Sequence, residues 1–251
     1  MSIVISGTPD LVALIEAGLR AKPPRGDEHA AHMSDNICDL QTWYRRTGAP
    51  SMPHDFRTLV KFELGHQFER GIGDVLQESL KFLNSEYVVR RDVTCQMGGV
   101  VGHADFIALA PGPPSEQDFL LEIKSTSFLR GKVPDEPAPW YVEQAAMYAA
   151  ALNVARFGIL VGCRESGKIA PIFWFNLDDK CGEGAAWPHL TWRAWAEVRA
   201  EEIATATAPD AFPPRAEPRT SWACRTCLYV QCEANKNPNR PATAFAMEAE
   251  G

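Results

Sequence analysis

The sequence of 251 residues lacks any run of eighteen consecutive apolar residues, so no membrane-spanning helix is expected. Its first residues also lack a basic region followed by a long apolar stretch, which argues against a secretory signal. An apolar fraction of 45% is ordinary for a folded globular chain. We therefore expect a cytoplasmic protein that has no contact with a membrane.

An excess of basic residues is lacking as well, because the formal net charge is −7. Simple nucleic-acid-binding proteins are often basic overall, but contact with a phosphate backbone needs only a local basic path. The candidate positions, which an ordinary solvated surface would also explain, are Arg45 with Arg46, Arg90 with Arg91, and Arg130 with Lys132.

Histidine is absent after His189, and the number of cysteines is odd, at seven. An odd number in a chain without a secretory signal argues against a disulfide framework. Cys224, Cys227 and Cys232 crowd into nine residues. Thiolates at this spacing are typical ligands of zinc or of an iron–sulfur cluster. A fourth ligand is needed, and Cys38 lies far upstream, before the long helix and the strands described next.

The spacing of apolar residues predicts alternating helices and strands. Helices are predicted at about 10–21, 35–46, 59–83, 140–152 and 188–206, and strands at 87–95, 100–110, 119–126, 157–161 and 169–175. Short turns join the first three strands, which should pair antiparallel, whereas the strand after the 140–152 helix can join by a crossover. We therefore expect an α/β fold with one central mixed β-sheet flanked by helices.

Three charged residues lie within otherwise apolar predicted strands. Alternate residues of a strand share a face, so Glu122 and Lys124 should point together, and Ile123 to the opposite layer. Asp105, on a neighbouring strand, can approach Glu122. Such charges are costly to bury unless something offsets them, and Mg²⁺ with oxygen ligands would do so, with the Ile123 carbonyl as a further ligand. Lys124 could then position a water molecule and stabilise charge on a phosphate. The plain alternative is a pair of surface carboxylates.

A third ligand is expected from the long predicted helix. Glu69 lies roughly 60° from the centre of its apolar stripe, and His66 roughly 120°. We prefer Glu69 as the metal ligand, with His66 as the alternative. On the later helix, Gln144 and Tyr148 are four residues apart and share a face. There they could contact a phosphate or hold Lys124, although such a pair is also common on ordinary helices.

Four short motifs in this order resemble those of the RecB-like PD-(D/E)XK nucleases. They are Gly65-x-x-x-Glu69, Gly102-His-Ala-Asp105, Glu122-Ile-Lys124 and Gln144-x-x-x-Tyr148. The resemblance implies a restriction-endonuclease-like core and hydrolysis of phosphodiester bonds that depends on Mg²⁺ or Mn²⁺. It assigns metal binding to Asp105 and Glu122, catalysis to Lys124, and support or DNA contact to Gln144 and Tyr148. The first motif of the family often ends in histidine, so the choice between Glu69 and His66 stays open.

One cysteine before this core and three after it resemble the CRISPR-associated RecB-like iron–sulfur exonucleases and the nuclease domain of AddB-type helicase–nucleases. In those proteins a 4Fe–4S cluster joins the two ends of the chain, which implies Cys38, Cys224, Cys227 and Cys232 as its ligands here. Zinc is the alternative, because spacing does not separate the two. The chain then divides into an N-terminal helical segment (1–58) with the first cysteine, a nuclease core (59–207), and a linker, cysteine cluster and loose tail (208–251).

The function that the resemblance implies is an exonuclease acting at DNA ends, with single-stranded DNA as the expected substrate. Its setting would be CRISPR adaptation, phage recombination or DNA repair in a prokaryotic or phage-infected cell, with integrase or recombination proteins as partners. The alternative is an adaptor that binds DNA ends within a spacer-acquisition or recombination complex and cleaves little. A purely structural iron–sulfur or zinc protein would leave Asp105, Glu122 and Lys124 unexplained.

Overall fold

A computed structural model describes residues 11–22, 27, 29–35, 37–83, 86–126, 135–182, 187–215 and 221–234. The predicted helix start at Thr8–Asp10, the basic pair Arg130 and Lys132, and the tail after residue 234 lie outside these described residues. Within them, no helix combines the length and the apolar character needed to cross a lipid bilayer.

Helices and strands alternate along the chain. The helices are α1 (Leu11–Arg20), α2 (Asp39–Arg46), α3 (Phe56–Leu83), α4 (Pro139–Ala151), α5 (Trp192–Ala206) and α6 (Ser221–Thr226). The strands are β1 (Ala31–His32), β2 (Val88–Met97), β3 (Val100–Leu109), β4 (Phe119–Thr126), β5 (Arg156–Cys163) and β6 (Phe173–Asn176). The apolar pattern predicts neither β1 nor α6. The predicted start of α5 near Pro188 is wrong, because the Thr191 side chain accepts a hydrogen bond from the Ala194 N–H and caps the helix there.

In the part of the chain that the structure describes, one mixed sheet of six strands occupies the centre of the fold. The first pairings are antiparallel, β2 with β3 and β3 with β4, whereas β4 and β5 are parallel and are joined by the crossover through α4. Side chains of α4 and α5 pack in the larger apolar core, and those of α3 pack with the smaller one. The predicted central mixed sheet flanked by helices is therefore confirmed.

The β2–β3 hairpin closes through a two-glycine turn. Gly98 and Gly99 have φ angles of 56° and 81°, and the strands pair directly on either side of them, at Met97 and Val100. Positive φ at both central residues is the requirement of a type I′ turn, which glycine meets without steric cost. The turn therefore sets the register of β3 against β2.

Strand β3 has two different neighbours on the edge opposite β2. At its start it pairs with β1, at Val100 and Val101, and further along it pairs with β4, from Phe106 to Ala108. Between these two pairings, residues 102–105 have no partner on that edge among the described strands. The Gly-His-Ala-Asp motif thus occupies an interruption of the sheet.

Helix α3 contacts the sheet through a narrow face made of Phe68, Ile72, Leu76 and Leu80. Their spacing of four residues keeps them on one side of the helix. The helical spacing of apolar residues in 59–83 also places Leu64, Val75 and Leu83 in the predicted stripe, which is wrong there, because these side chains are 53%, 63% and 77% exposed. Helix and sheet come close at Gly162 of β5, where an added Cβ would lie 2.1 Å from the Phe68 ring.

We expect Gly162→Ala to destabilise the fold by about 1–3 kcal/mol, because the added methyl group overlaps the Phe68 ring and forces α3 away from the sheet. Urea-induced unfolding measures the change. The matched control is Gly71→Ala on the exposed side of α3, where no heavy atom lies within 4 Å of the added Cβ; it should stabilise the protein by roughly 0.5–1 kcal/mol. Equal stabilities for the two variants would contradict the close approach.

Candidate active site

A polar cavity of about 200 Å³ opens at the interruption of the sheet beside β3. The side chains predicted as catalytic residues or metal ligands line it together: His66, Glu69, Asp105, Glu122, Lys124, Gln144 and Tyr148. They come from α3, β3, β4 and α4. Ile123 points to the other face of the sheet, where its buried side chain belongs to the smaller core against which α3 packs.

The Asp105 carboxylate accepts a backbone hydrogen bond from β4 where the β3–β4 ladder has ended. The ladder between β3 and β4 ends at the pair Phe106–Leu121, and Asp105 and Glu122 occupy the next, unpaired position of the register. The backbone N–H of Ile123 then donates a hydrogen bond of 2.8 Å to Oδ2 of Asp105. This bond holds the Asp105 carboxylate against β4, beside Glu122.

Glu122 is 1% exposed, and its two carboxylate oxygens differ in their surroundings. The Lys124 ammonium group donates a hydrogen bond to Oε1 of Glu122. The other oxygen, Oε2, is buried and has no hydrogen-bond partner among the residues that the structure describes. The ammonium group also lies 5.4 Å from the centre of the Tyr141 ring. One carboxylate oxygen at the cavity is therefore available to a further electropositive group.

The electrostatics of the three charged groups are unbalanced. Burial and the neighbouring Asp105 carboxylate raise the pKa of Glu122 to about 8. Burial also raises the pKa of Asp105, although Lys124 opposes this effect. Burial alone would lower the pKa of Lys124, but the two carboxylates outweigh it and raise that pKa. Lys124 is thus a cation at neutral pH, but it does not offset the full cost of ionising both carboxylates.

Tyr148 closes the cavity on the α4 side. Its hydroxyl oxygen accepts a hydrogen bond of 2.6 Å from the Gln144 side-chain amide, and the residue is 3% exposed. Burial raises the pKa of Tyr148, so its hydroxyl stays protonated. A Cβ added to Gly102 would lie 2.4 Å from the Tyr148 ring and 2.7 Å from the Met33 sulfur. The glycine of the second motif therefore makes room for Tyr148, a role that glycine within a strand often has.

Four further polar residues of the cavity wall were not predicted from the sequence, namely His32, Ser34, Asp92 and His103. Two of them, His32 and Ser34, belong to β1 and the short 3₁₀ turn after it, which the apolar pattern does not reveal. His103 lies within the second motif, two residues before Asp105. Alternation along β3 could have identified it, because residues two apart share a face.

A larger cavity of about 470 Å³ adjoins the first and shares His66, Glu69, Asp92 and Asp105 with it. Arg70 and Arg91 also line this larger cavity. The Arg91 guanidinium forms an ion pair with Asp74 and donates a hydrogen bond of 2.9 Å to the Arg70 carbonyl oxygen.

The other basic pair in the described region has internal partners. Arg45 donates to Asp35 at 2.8 Å, and Arg46 donates to Thr207 at 2.9 Å. Of these basic candidates, Arg91 is the one that lines a cavity next to Asp105.

The four cysteines of the implied cluster lie near one another on the side of α2. Cys38 precedes the first residue of α2, Cys224 lies in α6, and Cys227 and Cys232 follow it and are buried. Burial raises the pKa of Cys227, and the other three thiols add to this effect. Among the described residues, no three of these sulfur atoms lie within 4.8 Å of one another. The remaining cysteines, Cys95, Cys163 and Cys181, are buried in the fold.

Contacts between α2 and the C-terminal segment surround these cysteines. The rings of Tyr44 and Tyr229 stack with 5.2 Å between their centres, and the Met52 N–H donates a hydrogen bond of 2.8 Å to the Leu228 carbonyl. A cavity of about 170 Å³ lies between Cys38, Ala223 and Tyr229. The region of α2 and the C-terminal segment therefore pack together, with space left between them.

No protein-family model and no curated protein matches this chain. Among solved structures, the chain is similar to SSO0001, with 16% sequence identity, a TM-score of 0.51, and coverage of 90% of this chain and 95% of that one. It is also similar to an alkaline exonuclease (LHK-Exo) from Laribacter hongkongensis, with 12% identity, a TM-score of 0.44, and coverage of 72% and 89%. The first similarity shows that the two chains share a fold.

We expect Mn²⁺ to raise the melting temperature more at about pH 8.5 than at about pH 6. The pKa values of Glu122 and Asp105 are raised, so protons compete with the metal at the lower pH. As pH rises from the unfolded pKa of Glu122 towards about 8, the unfolded state has lost this proton and the folded state still keeps it, so the metal-free protein is progressively destabilised. The raised pKa of Lys124 acts only above this range.

Thermal melts at both pH values measure the effect. Glu122→Gln should abolish the stabilisation by Mn²⁺, whereas Glu165→Gln, at an exposed position outside the cavity, should keep it. A stabilisation that is the same in Glu122→Gln and in the wild type would place the metal elsewhere.

Proposed function

We propose that this protein is a metal-dependent nuclease that hydrolyses the phosphodiester bonds of DNA. The observation that supports this best is the buried Oε2 of Glu122, which has no hydrogen-bond partner among the described residues and lies in a cavity with Asp105 and Lys124. Two carboxylates and an ammonium group around a polar cavity are the groups that a cation and a phosphate diester require.

The residues present fit a divalent cation. Asp105 and Glu122 would hold it, together with the Ile123 carbonyl and one side chain from α3. Glu69 is the preferred α3 ligand, because its charge contributes to the raised pKa of Glu122, and His66 is the alternative. Bound Mg²⁺ or Mn²⁺ supplies Lewis acidity towards a phosphate oxygen and lowers the pKa of a water molecule.

The remaining groups of the cavity act on the phosphate and on the attacking water. Lys124 is protonated and fixed by Glu122, so it can stabilise the charge that develops on the phosphate and orient the water. Tyr148 is neutral and accepts a hydrogen bond from Gln144, which leaves its own O–H available to a phosphate oxygen. Both residues are held before substrate arrives, which reduces the reorganisation needed for reaction.

DNA with a free end, preferentially single-stranded, is the substrate that we propose, with exonucleolytic cleavage. Tyr141 lies next to Lys124, and the centre of the Trp140 ring is 5.7 Å from that of the Tyr141 ring. These two aromatic side chains in the first turn of α4 are surfaces on which unpaired bases could stack. Arg70 and Arg91 line the adjoining cavity and are paired with Glu63 and Asp74, carboxylates that a DNA phosphate would have to displace. By resemblance, the setting is CRISPR adaptation, phage recombination or DNA repair, with integrase or recombination proteins as partners.

We further propose that Cys38, Cys224, Cys227 and Cys232 hold a 4Fe–4S cluster. Four ligands of one zinc ion would place their sulfur atoms about 3.8 Å apart, given Zn–S bonds of about 2.3 Å. Among the described residues no three of these thiols come within 4.8 Å of one another, so the preference for a cluster over zinc rests on the family resemblance. Such a group would join the segment 1–58 to the segment 208–251 across the core 59–207, which is the domain division that we retain.

End-labelled single- and double-stranded DNA should be shortened in the presence of Mg²⁺ or Mn²⁺ and left intact with EDTA. Lys124→Ala should lower the rate at least 100-fold, because it removes the cation that faces the phosphate. The matched control is Lys168→Ala at an exposed position away from the cavity, which should leave the rate unchanged. Gel analysis of the products over time measures cleavage and shows whether it proceeds from the ends.

Two results would overturn this proposal. Equal cleavage by the wild type and by a folded Lys124→Ala variant would indicate a contaminating enzyme or another site. A folded wild type that binds DNA ends but leaves every substrate intact would favour the adaptor function instead.

Protein purified without oxygen should be brown and should contain about four iron atoms per chain if the cluster is present. Cys38→Ser should lose the iron and lower the melting temperature, because the link between the chain ends is broken. Cys181→Ala, a buried cysteine outside the group, should retain the iron. Metal analysis and visible absorption measure this; a colourless wild type with one bound zinc would show that the zinc alternative is right.

A further inference from the structure

A second cluster of ligand atoms lies beside the carboxylate site. Asp27, His32 and His103 bring one carboxylate oxygen and two ring nitrogens within 4.8 Å of one another, and no other group of three or more such atoms occurs in the described residues. Nε2 of His103 is 2.9 Å from Oδ2 of Asp27. Nε2 of His32 is 4.0 Å from Oδ1 of Asp27 and 3.0 Å from its carbonyl oxygen.

The strand pairing fixes the two histidines side by side. His32 of β1 pairs in register with Val101 of β3, so His103 lies two residues further along the neighbouring strand. The centres of the two rings are 6.4 Å apart, with 29° between the ring planes. Both histidines line the cavity that also contains Asp105. The two histidines of the cluster are therefore part of the cavity wall, and the cluster does not share a ligand with the carboxylate site.

The chemical type of these ligands differs from that of Asp105 and Glu122. Imidazole nitrogens suit zinc and related transition metals, whereas Mg²⁺ prefers oxygen ligands. Zinc bonds of about 2.0–2.2 Å to nitrogen and oxygen place tetrahedral ligand atoms about 3.4 Å apart. The observed separations of 2.9 Å and 4.0 Å lie on either side of that value, so small side-chain rotations would complete the site.

The surroundings of His103 favour this role. Its second ring nitrogen, Nδ1, is 3.3 Å from the Thr94 hydroxyl and 3.9 Å from the Asp92 carboxylate. Histidines that bind metal ions usually direct their other nitrogen to such an oxygen, which fixes the ring orientation. The side chains of His32, His103 and Asp27 are 15%, 18% and 24% exposed, so the group is sheltered but reachable.

We propose that Asp27, His32 and His103 form a zinc site on the wall of this cavity, separate from the carboxylate site. Three protein ligands leave one coordination position for water or for an oxygen atom of a molecule in the cavity. The bound ion links the chain at Asp27 to strand β3. Zinc binding at this site does not depend on the nuclease activity proposed above.

Titration of metal-stripped protein with Co²⁺, followed by displacement with Zn²⁺, tests the site. The wild type should bind one molar equivalent of Co²⁺ more than either His103→Gln or His32→Gln. The extra equivalent should give ligand-field bands without thiolate-to-metal charge transfer, which separates it from ions bound by cysteines. His189→Gln, at an exposed position outside the cluster, is the matched control and should bind like the wild type.

Thr94→Val keeps all three ligands and should weaken binding of the extra ion about 10-fold through loss of the contact to His103. Identical stoichiometry and spectra for the wild type and His103→Gln would overturn the site, as would thiolate charge transfer from the extra equivalent.

Crystals soaked in Zn²⁺ give a second measurement, in which an anomalous peak is expected between His32 and His103. The proposal would be overturned if this peak were absent while other zinc sites in the same crystal were fully occupied. Activity assays with Mg²⁺ alone report on the nuclease proposal separately.

Discussion

Two buried carboxylates held next to each other are the constraint on which the rest of the site depends. Asp105 and Glu122 both lose solvent, which raises the pKa values of both, and the Asp105 carboxylate further disfavours the ionised form of Glu122. Lys124 offsets part of this charge through Oε1 of Glu122. The Ile123 N–H offsets a further part at Asp105. These contacts leave Oε2 of Glu122 and the cavity in front of it as the place where additional positive charge would be most favourable.

The interruption of the sheet explains how such a group can be built on strands. A continuous ladder along β3 would direct the Ile123 N–H to a backbone carbonyl and leave little room beside the strand. Here β1 and β4 each pair with a different part of β3, and Gly102, His103 and Asp105 in the interval between them line the cavity. Gly102 lies in this interval and gives Tyr148 space to approach. The missing backbone pairing at residues 102–105 of β3 thus makes room for the polar cavity.

The amino-acid pattern predicts most of this arrangement, and the exceptions have physical reasons. Periodicity identifies the long helices and β2 to β5 because each of them buries one face or both. It does not reveal β1, since two residues are too few to show a period, and His32 is therefore missed. Leu64 and Val75 fit a helical stripe in the sequence, but the sheet covers a narrower face of α3. Alternation on a strand places Glu122, Lys124 and Ile123 correctly. Contacts between distant segments, such as Asp27 with His103, have no counterpart in local patterns.

The two-glycine turn between β2 and β3 also bears on the order in which the molecule assembles. Its strands are adjacent in the chain, so their pairing closes a very short loop and can form early. The parallel pairing of β4 with β5 must wait for a crossover through α4, which has a higher entropic cost of loop closure. Asp105 is on the early hairpin, and β4, which carries Glu122, joins it through a short connection, whereas Tyr148 on α4 belongs to the later crossover. We therefore expect the two carboxylates to meet early but to lose most of their solvent only when α4 closes the cavity, so that the rise in their pKa values develops late in folding.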